Sequence, residues 1–162
     1  MFTVLELFDL AVQIEANGEQ FYRHARTTVR RDSLVDLLGW LADQESLHKS
    51  AFAALKEKIA CGGEPPLSFS SLSGEVLRGA MGRHAFSLDE LQLDSIQDEE
   101  EILQAAVLFE EDTIVFFEFI SSFISDPEAI STLERIKAEE SNHKELLMEK
   151  IAEIRTKSTL GK

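Results

Sequence analysis

The stretch QESLHK (44–49) is written again, ninety-five residues later, as EESNHK (139–144). Glu45, Ser46, His48 and Lys49 recur as Glu140, Ser141, His143 and Lys144. Each Glu-x-x-His lies in a run of helix-forming residues, and positions i and i+3 share a helix face. The same offset lays AVQIEANGEQFY (11–22) on AVLFEEDTIVFF (106–117), so Ala11 meets Ala106, Glu15 meets Glu110 and Tyr22 meets Phe117. Glu15 precedes Glu45 by 30 residues, and Glu110 precedes Glu140 by the same 30. The chain reads as one helical hairpin duplicated.

Helix breakers are sparse. Of three prolines and eight glycines, two of each fall in CGGEPP (61–66). The pattern predicts four long helices, from about Phe2 to Val29, Ser33 to Ala60, Ile96 to Ile124 and Pro127 to Arg155. Asp126-Pro127-Glu128 supplies an N-cap acceptor, a proline at the first helical position and an acid in the first turn. Ser33 with Asp36, and Ser95 with Asp98, resemble capping boxes. The short links at 30–32 and 125–126 predict two antiparallel pairs. The expected organisation is all-α, a single four-helix domain: hairpin one over 2–60, a long crossover over 61–94 with a short helix in EVLRGAMGRHAF (75–86), and hairpin two over 95–156.

Stepping by three and four residues gives each helix an apolar stripe with an acid in its middle. On the first it runs Val4, Phe8, Ala11, Glu15, Gly18, Tyr22, Ala25, Val29. On the second it runs Leu34, Leu38, Leu41, Glu45, His48, Phe52, Leu55, Ile59. On the third it runs Leu103, Ala106, Glu110, Thr113, Phe117, Ile120, Ile124. On the fourth it runs Leu133, Ile136, Glu140, His143, Leu147, Ile151. Four carboxylates and two imidazoles would therefore meet inside one bundle with no basic residue in the stripes. Burying one unpaired carboxylate costs several kcal/mol, to order of magnitude. Four together must take up protons or recruit cations, and two divalent ions balance four carboxylates. Oxygen-rich ligation with two nitrogens suits iron or manganese.

The motifs IEANGEQFY (14–22), LADQESLHK (41–49), FEEDTIVFF (109–117) and IKAEESNHK (136–144) make the chain resemble the rubrerythrin-like branch of the ferritin-like superfamily. That resemblance implies a ferritin-like bundle holding two iron ions on Glu15, Glu45, His48, Glu110, Glu140 and His143. It also implies an oxidoreductase whose reduced centre reacts with peroxide or dioxygen, or one that oxidises ferrous iron. Two departures stand out. No cysteine pair of the rubredoxin type is present, so an external electron donor is expected. Thr113 stands where the family carries a further glutamate.

Other residues have blander readings. Tyr22 could hydrogen-bond a ligand glutamate or simply fill the core. Glu19, Glu111 and His24 fall off the stripes and are expected at the surface, and His84 in the crossover is not expected to be a ligand. DEEE (98–101) is an acidic first turn that suits the helix dipole. FFEFISSFI (116–124) is apolar nearly all round, which predicts packing on another subunit or under the crossover, and a homo-oligomer, most simply a two-fold homodimer, is expected.

Sixteen basic against thirty acidic residues give a net charge of −14. That argues against a nucleic-acid partner, which would want a basic face, and against docking on anionic lipid. Cys61 is the only cysteine, so no disulfide or paired-cysteine metal site forms within the chain. The N-terminus lacks a basic region and cleavage pattern, and no apolar run reaches spanning length, so a cytoplasmic location is expected. The competing functions are an iron-handling ferroxidase, separable by particle size, and a non-enzymatic bundle with a structural metal, separable by a peroxide-consumption assay.

Overall fold

A computed structural model describes residues 3–62, 96 and 98–160. Among them lie four helices: α1 (Val4–Thr28), α2 (Asp32–Gly62), α3 (Glu99–Ser121) and α4 (Pro127–Leu160). The expected crossover helix, His84 and Ser95 lie outside the described residues.

The helix starts show which local signals act. The α1 N-cap is Thr3, whose hydroxyl accepts from the Glu6 amide at 3.2 Å while the Glu6 carboxylate accepts from the Thr3 amide at 2.6 Å. This capping box begins the helix two residues later than the sequence suggested. α2 begins at Asp32, so Ser33 lies inside it, and the Arg31 carbonyl takes the first amides, those of Leu34 and Val35. Asp98 itself caps α3, accepting from the Glu100 amide at 2.9 Å. Asp126 caps α4 through the Ala129 amide at 2.8 Å, as its sequence foretells.

The helices pair as α1 on α2 and α3 on α4, and the two hairpins meet through α1 against α3 and α2 against α4. The acidic turn of α3 ties the bundle end together. Glu99 accepts from the Arg30 and Arg31 amides at 2.8 and 3.1 Å, and Glu100 pairs with Arg155 at 2.7 Å.

The core divides into two apolar layers. One holds Phe8, Phe52, Phe109, Phe117 and Leu133, with the Phe52 and Phe117 rings 4.8 Å apart. The other holds Tyr22, Leu38, Leu41, Leu103 and Leu147. Much of 116–124 is used inside the chain: Phe116, Phe117, Ile120 and Ile124 are buried, and Phe119 and Phe123 pack on the first layer. The exposed apolar residues of α3 are instead Leu108 and Val115.

Candidate metal centre

Between the two layers the helices bury a polar belt. Glu15 and Glu110 come from the middles of α1 and α3, and Glu45, His48, Glu140 and His143 from α2 and α4. The four carboxylates are 0 % exposed and the imidazoles 2 %, so water does not solvate them. They fall into two overlapping groups: Glu15, Glu45, His48 and Glu140, and Glu45, Glu110, Glu140 and His143. Within each group one ligand atom per residue lies within 4.8 Å of all the others. Glu45 and Glu140 belong to both. All six residues singled out from the sequence are thus brought together.

Both histidines turn Nδ1 inward. His48 Nδ1 stands 2.7 Å from Glu140 Oε1 and 3.6 Å from Glu15 Oε2. His143 Nδ1 stands 2.8 Å from Glu140 Oε2 and 3.7 Å from Glu45 Oε1. Glu140 therefore lies between the imidazoles with one oxygen toward each, and the two rings stack with centroids 5.7 Å apart. The i, i+3 spacing puts the Glu and His of each motif on one helix face, so both reach the belt, and the close contacts of His48 are to the other helices.

Hydrogen bonding leaves the belt unsatisfied. Both oxygens of Glu15, both of Glu45 and Oε2 of Glu110 are buried without a hydrogen-bond partner among the described residues. Buried polar atoms are ordinarily paired, so five orphaned carboxylate oxygens facing one another mark a place built for cations. Burial, and then the charge of Glu140, push Glu15 up to about 7. Burial and the neighbouring carboxylates also raise Glu45 and Glu110 well above the ordinary range. Burial pushes Glu140 up too, but hydrogen bonds from His143 and His48 outweigh it and keep this carboxyl below the ordinary value. For His48 burial acts downward, and the carboxylates of Glu140 and Glu15 overcome it, raising the imidazole to about 10.

The surroundings hold further polar groups. The Tyr22 hydroxyl donates to Glu110 Oε1, the bond its position on the α1 stripe allowed. Burial, then the charge of Glu110, raise that phenol far above its usual range, so it stays protonated and donates. Glu139, unremarked in the sequence, accepts from His48 Nε2 at 2.7 Å, and its other oxygen meets Arg135 at 2.8 Å. Trp40 sets its indole edge-on to the His143 ring at 5.2 Å. Thr113 is fully buried, and its hydroxyl has no hydrogen-bond partner among the described residues. Gly18 is required by space: a Cβ there would lie 2.8 Å from the Phe109 ring and 2.9 Å from Glu45 Oε2. Glu19 is held between Lys49 and Arg23, at 2.5 and 2.9 Å, rather than solvated. Glu111 and His24 are at the surface, as expected.

An antiparallel four-helix bundle with one Glu from each of two helices and Glu-x-x-His from each of the others has the form of the ferritin-like carboxylate bundles. Solved structures agree on the fold. A Thermotoga maritima protein, provisionally described as a ferritin-like diiron-carboxylate protein, superposes with a TM-score of 0.72 at 23 % identity, covering 94 % of this chain and 96 % of its own. A hypothetical protein from Pyrococcus furiosus superposes with a TM-score of 0.68 at 19 % identity, covering 93 % and 89 %. No curated protein is significantly similar in sequence. The rubrerythrin family profile matches residues 6–151, and the chain belongs to that family. No described helix is long and apolar enough to cross a membrane.

Proposed function

We propose that the protein is a di-iron carboxylate oxidoreductase whose reduced centre reacts with peroxide or dioxygen. The observation that supports it most is the set of orphaned carboxylate oxygens in two overlapping groups that share Glu45 and Glu140. Glu15 and His48 would hold one ion and Glu110 and His143 the other, with Glu45 and Glu140 within reach of both. Two irons bound there supply the electrons that reduce the oxidant. The protein fixes their ligands: the stacked imidazoles present Nδ1 from opposite hairpins, and Tyr22 orients Glu110. The apolar layers on either side exclude water from the belt. Glu15, Glu45 and Glu110, on which burial holds protons, would give those protons up on taking two divalent ions, whose charge would balance the four carboxylates.

Loading the metal-free protein anaerobically with ferrous iron and adding hydrogen peroxide tests this reading. Oxidation of the bound iron, with stoichiometric loss of peroxide, is expected, and Glu45→Ala and Glu140→Ala should abolish it. Bound iron that survives peroxide and air unoxidised would refute an oxidoreductase and leave the metal a structural role.

A further inference from the structure

The duplication makes the two halves of the centre directly comparable, and they do not match. A shift of ninety-five residues places Gln44 on Glu139, Trp40 on Arg135, and Tyr22 on Phe117. In each mismatched pair one member reaches a residue of the centre: Glu139 holds His48, Trp40 meets His143 and Tyr22 donates to Glu110.

His48 is backed by a carboxylate. Its Nε2 lies 2.7 Å from Glu139 Oε2, and a carboxylate only accepts, so Nε2 carries a proton held on Glu139, and Nδ1, 2.7 Å from Glu140 Oε1, is the nitrogen left to take an ion once its own proton leaves. Arg135 holds the other oxygen of Glu139 at 2.8 Å, one turn back on the same helix, which fixes the carboxylate under the ring. A carboxylate hydrogen-bonded to the far nitrogen raises an imidazole's strength as a ligand. In the other half the residues at the matching sequence positions are Gln44 and Trp40, and the Trp40 and His143 ring centroids are 5.2 Å apart in a T-shaped arrangement. Neither is anionic.

The terminal carboxylates differ too. Glu110 Oε1 accepts the Tyr22 hydroxyl, which draws charge from the ligand. At the matching place in the other half stands Phe117, and both oxygens of Glu15 are without a hydrogen-bond partner among the described residues. One position thus has the stronger imidazole and the stronger carboxylate, while the shared Glu45 and Glu140 serve both.

We propose that the two metal positions are unequal, that the one at Glu15 and His48 fills first, and that Glu139, braced by Arg135, is the positioning residue that makes it so. This rests on the di-metal reading above. It assigns Glu139 no contact with the ion; it acts through His48.

Manganese(II) is the probe, since it loads without redox chemistry. Crystals grown with one equivalent should show anomalous density against Glu15 and His48. A solution titration, following free manganese by electron paramagnetic resonance, should resolve two steps. Glu139→Gln should weaken the first step by about 10- to 100-fold and even out the two densities. Glu139 is one-third exposed, so this variant tests the hydrogen bond rather than the fold. Gln44→Glu, the reciprocal change, should strengthen the step at His143, which a merely structural role for Glu139 would not produce. Equal density at both positions, density first at His143, or a first step indifferent to Glu139→Gln would overturn the inequality while leaving a di-metal centre intact. Manganese at neither position would overturn the di-metal reading and this inference together.

Discussion

The polar belt and the apolar layers that enclose it are equally buried yet follow opposite rules. Phe8, Phe52 and Phe117 in one layer, and Leu38, Leu41 and Leu103 in the other, are 0 % exposed and lose nothing by leaving water. Glu15, Glu45, Glu110 and Glu140 are equally inaccessible, and all but Glu140, which the two imidazoles hold, lose their hydration without an adequate replacement. The layers therefore hold the bundle together, and the belt, without a counter-charge, works against it. Stability and function are segregated along the bundle axis, and perturbing each region should have opposite consequences.

The largest expected effect is in a layer. Phe117→Ala removes a buried ring packed on Phe52 and Phe116 and should cost about 3–5 kcal/mol of unfolding free energy. Denaturant titration should show that loss with and without metal. In the belt the sign reverses. Glu45→Met replaces an unpaired buried carboxylate by an apolar side chain of similar length. It should stabilise the metal-free protein by about 1–4 kcal/mol while removing the stabilisation that metal confers. A metal-free protein destabilised by this change would mean that Glu45 is already satisfied, and the contrast would collapse.

Gly18→Ala probes the seam between the regions. The added methyl presses on both Phe109 and Glu45, so about 1–3 kcal/mol should be lost, together with weaker metal uptake. Unchanged metal affinity would show that Glu45 has room to move.

The gentlest probe is pH. Glu15 is raised from 4.5 to about 7, so the folded metal-free protein binds that proton more tightly than the unfolded chain. Its stabilising contribution is complete below pH 4.5 and is lost as pH rises toward 7. His48, raised from 6.5 to about 10, adds a second loss across that higher window. Metal-free melting temperatures should therefore fall between pH 5 and 8, with a slope of at most about 1.4 kcal/mol per pH unit for one group. Metal binding should strengthen over the same range, since protons compete for the ligands. A metal-free protein that gains stability between pH 5 and 8 would contradict the burial of unpaired carboxylates.

The belt was legible in the sequence because it breaks a rule locally: an acid centred in an apolar stripe, four times over, is visible from periodicity alone. The four helices were legible for the same reason. Their starts were less so, since Thr3 with Glu6 is a plain capping box that the apolar run of the first residues obscured, whereas Ser33 with Asp36 has the spacing of one but lies inside α2. Glu139 stayed hidden because its partner, His48, is on another helix, ninety-one residues away. The available signal was not a motif but its failure: Gln44 opposite Glu139 is where the repeat stops repeating. The partners of Glu99 and Glu100 were equally opaque, because they come from the ends of other helices.

The central claim is that the belt exists to be neutralised by two metal ions. Elemental analysis of protein loaded anaerobically with ferrous iron and freed of excess tests it most directly. About two irons per chain are expected, falling to background in Glu45→Ala and Glu140→Ala. Wild-type protein that retains no iron above background, and melts at the same temperature with and without it, would contradict the account.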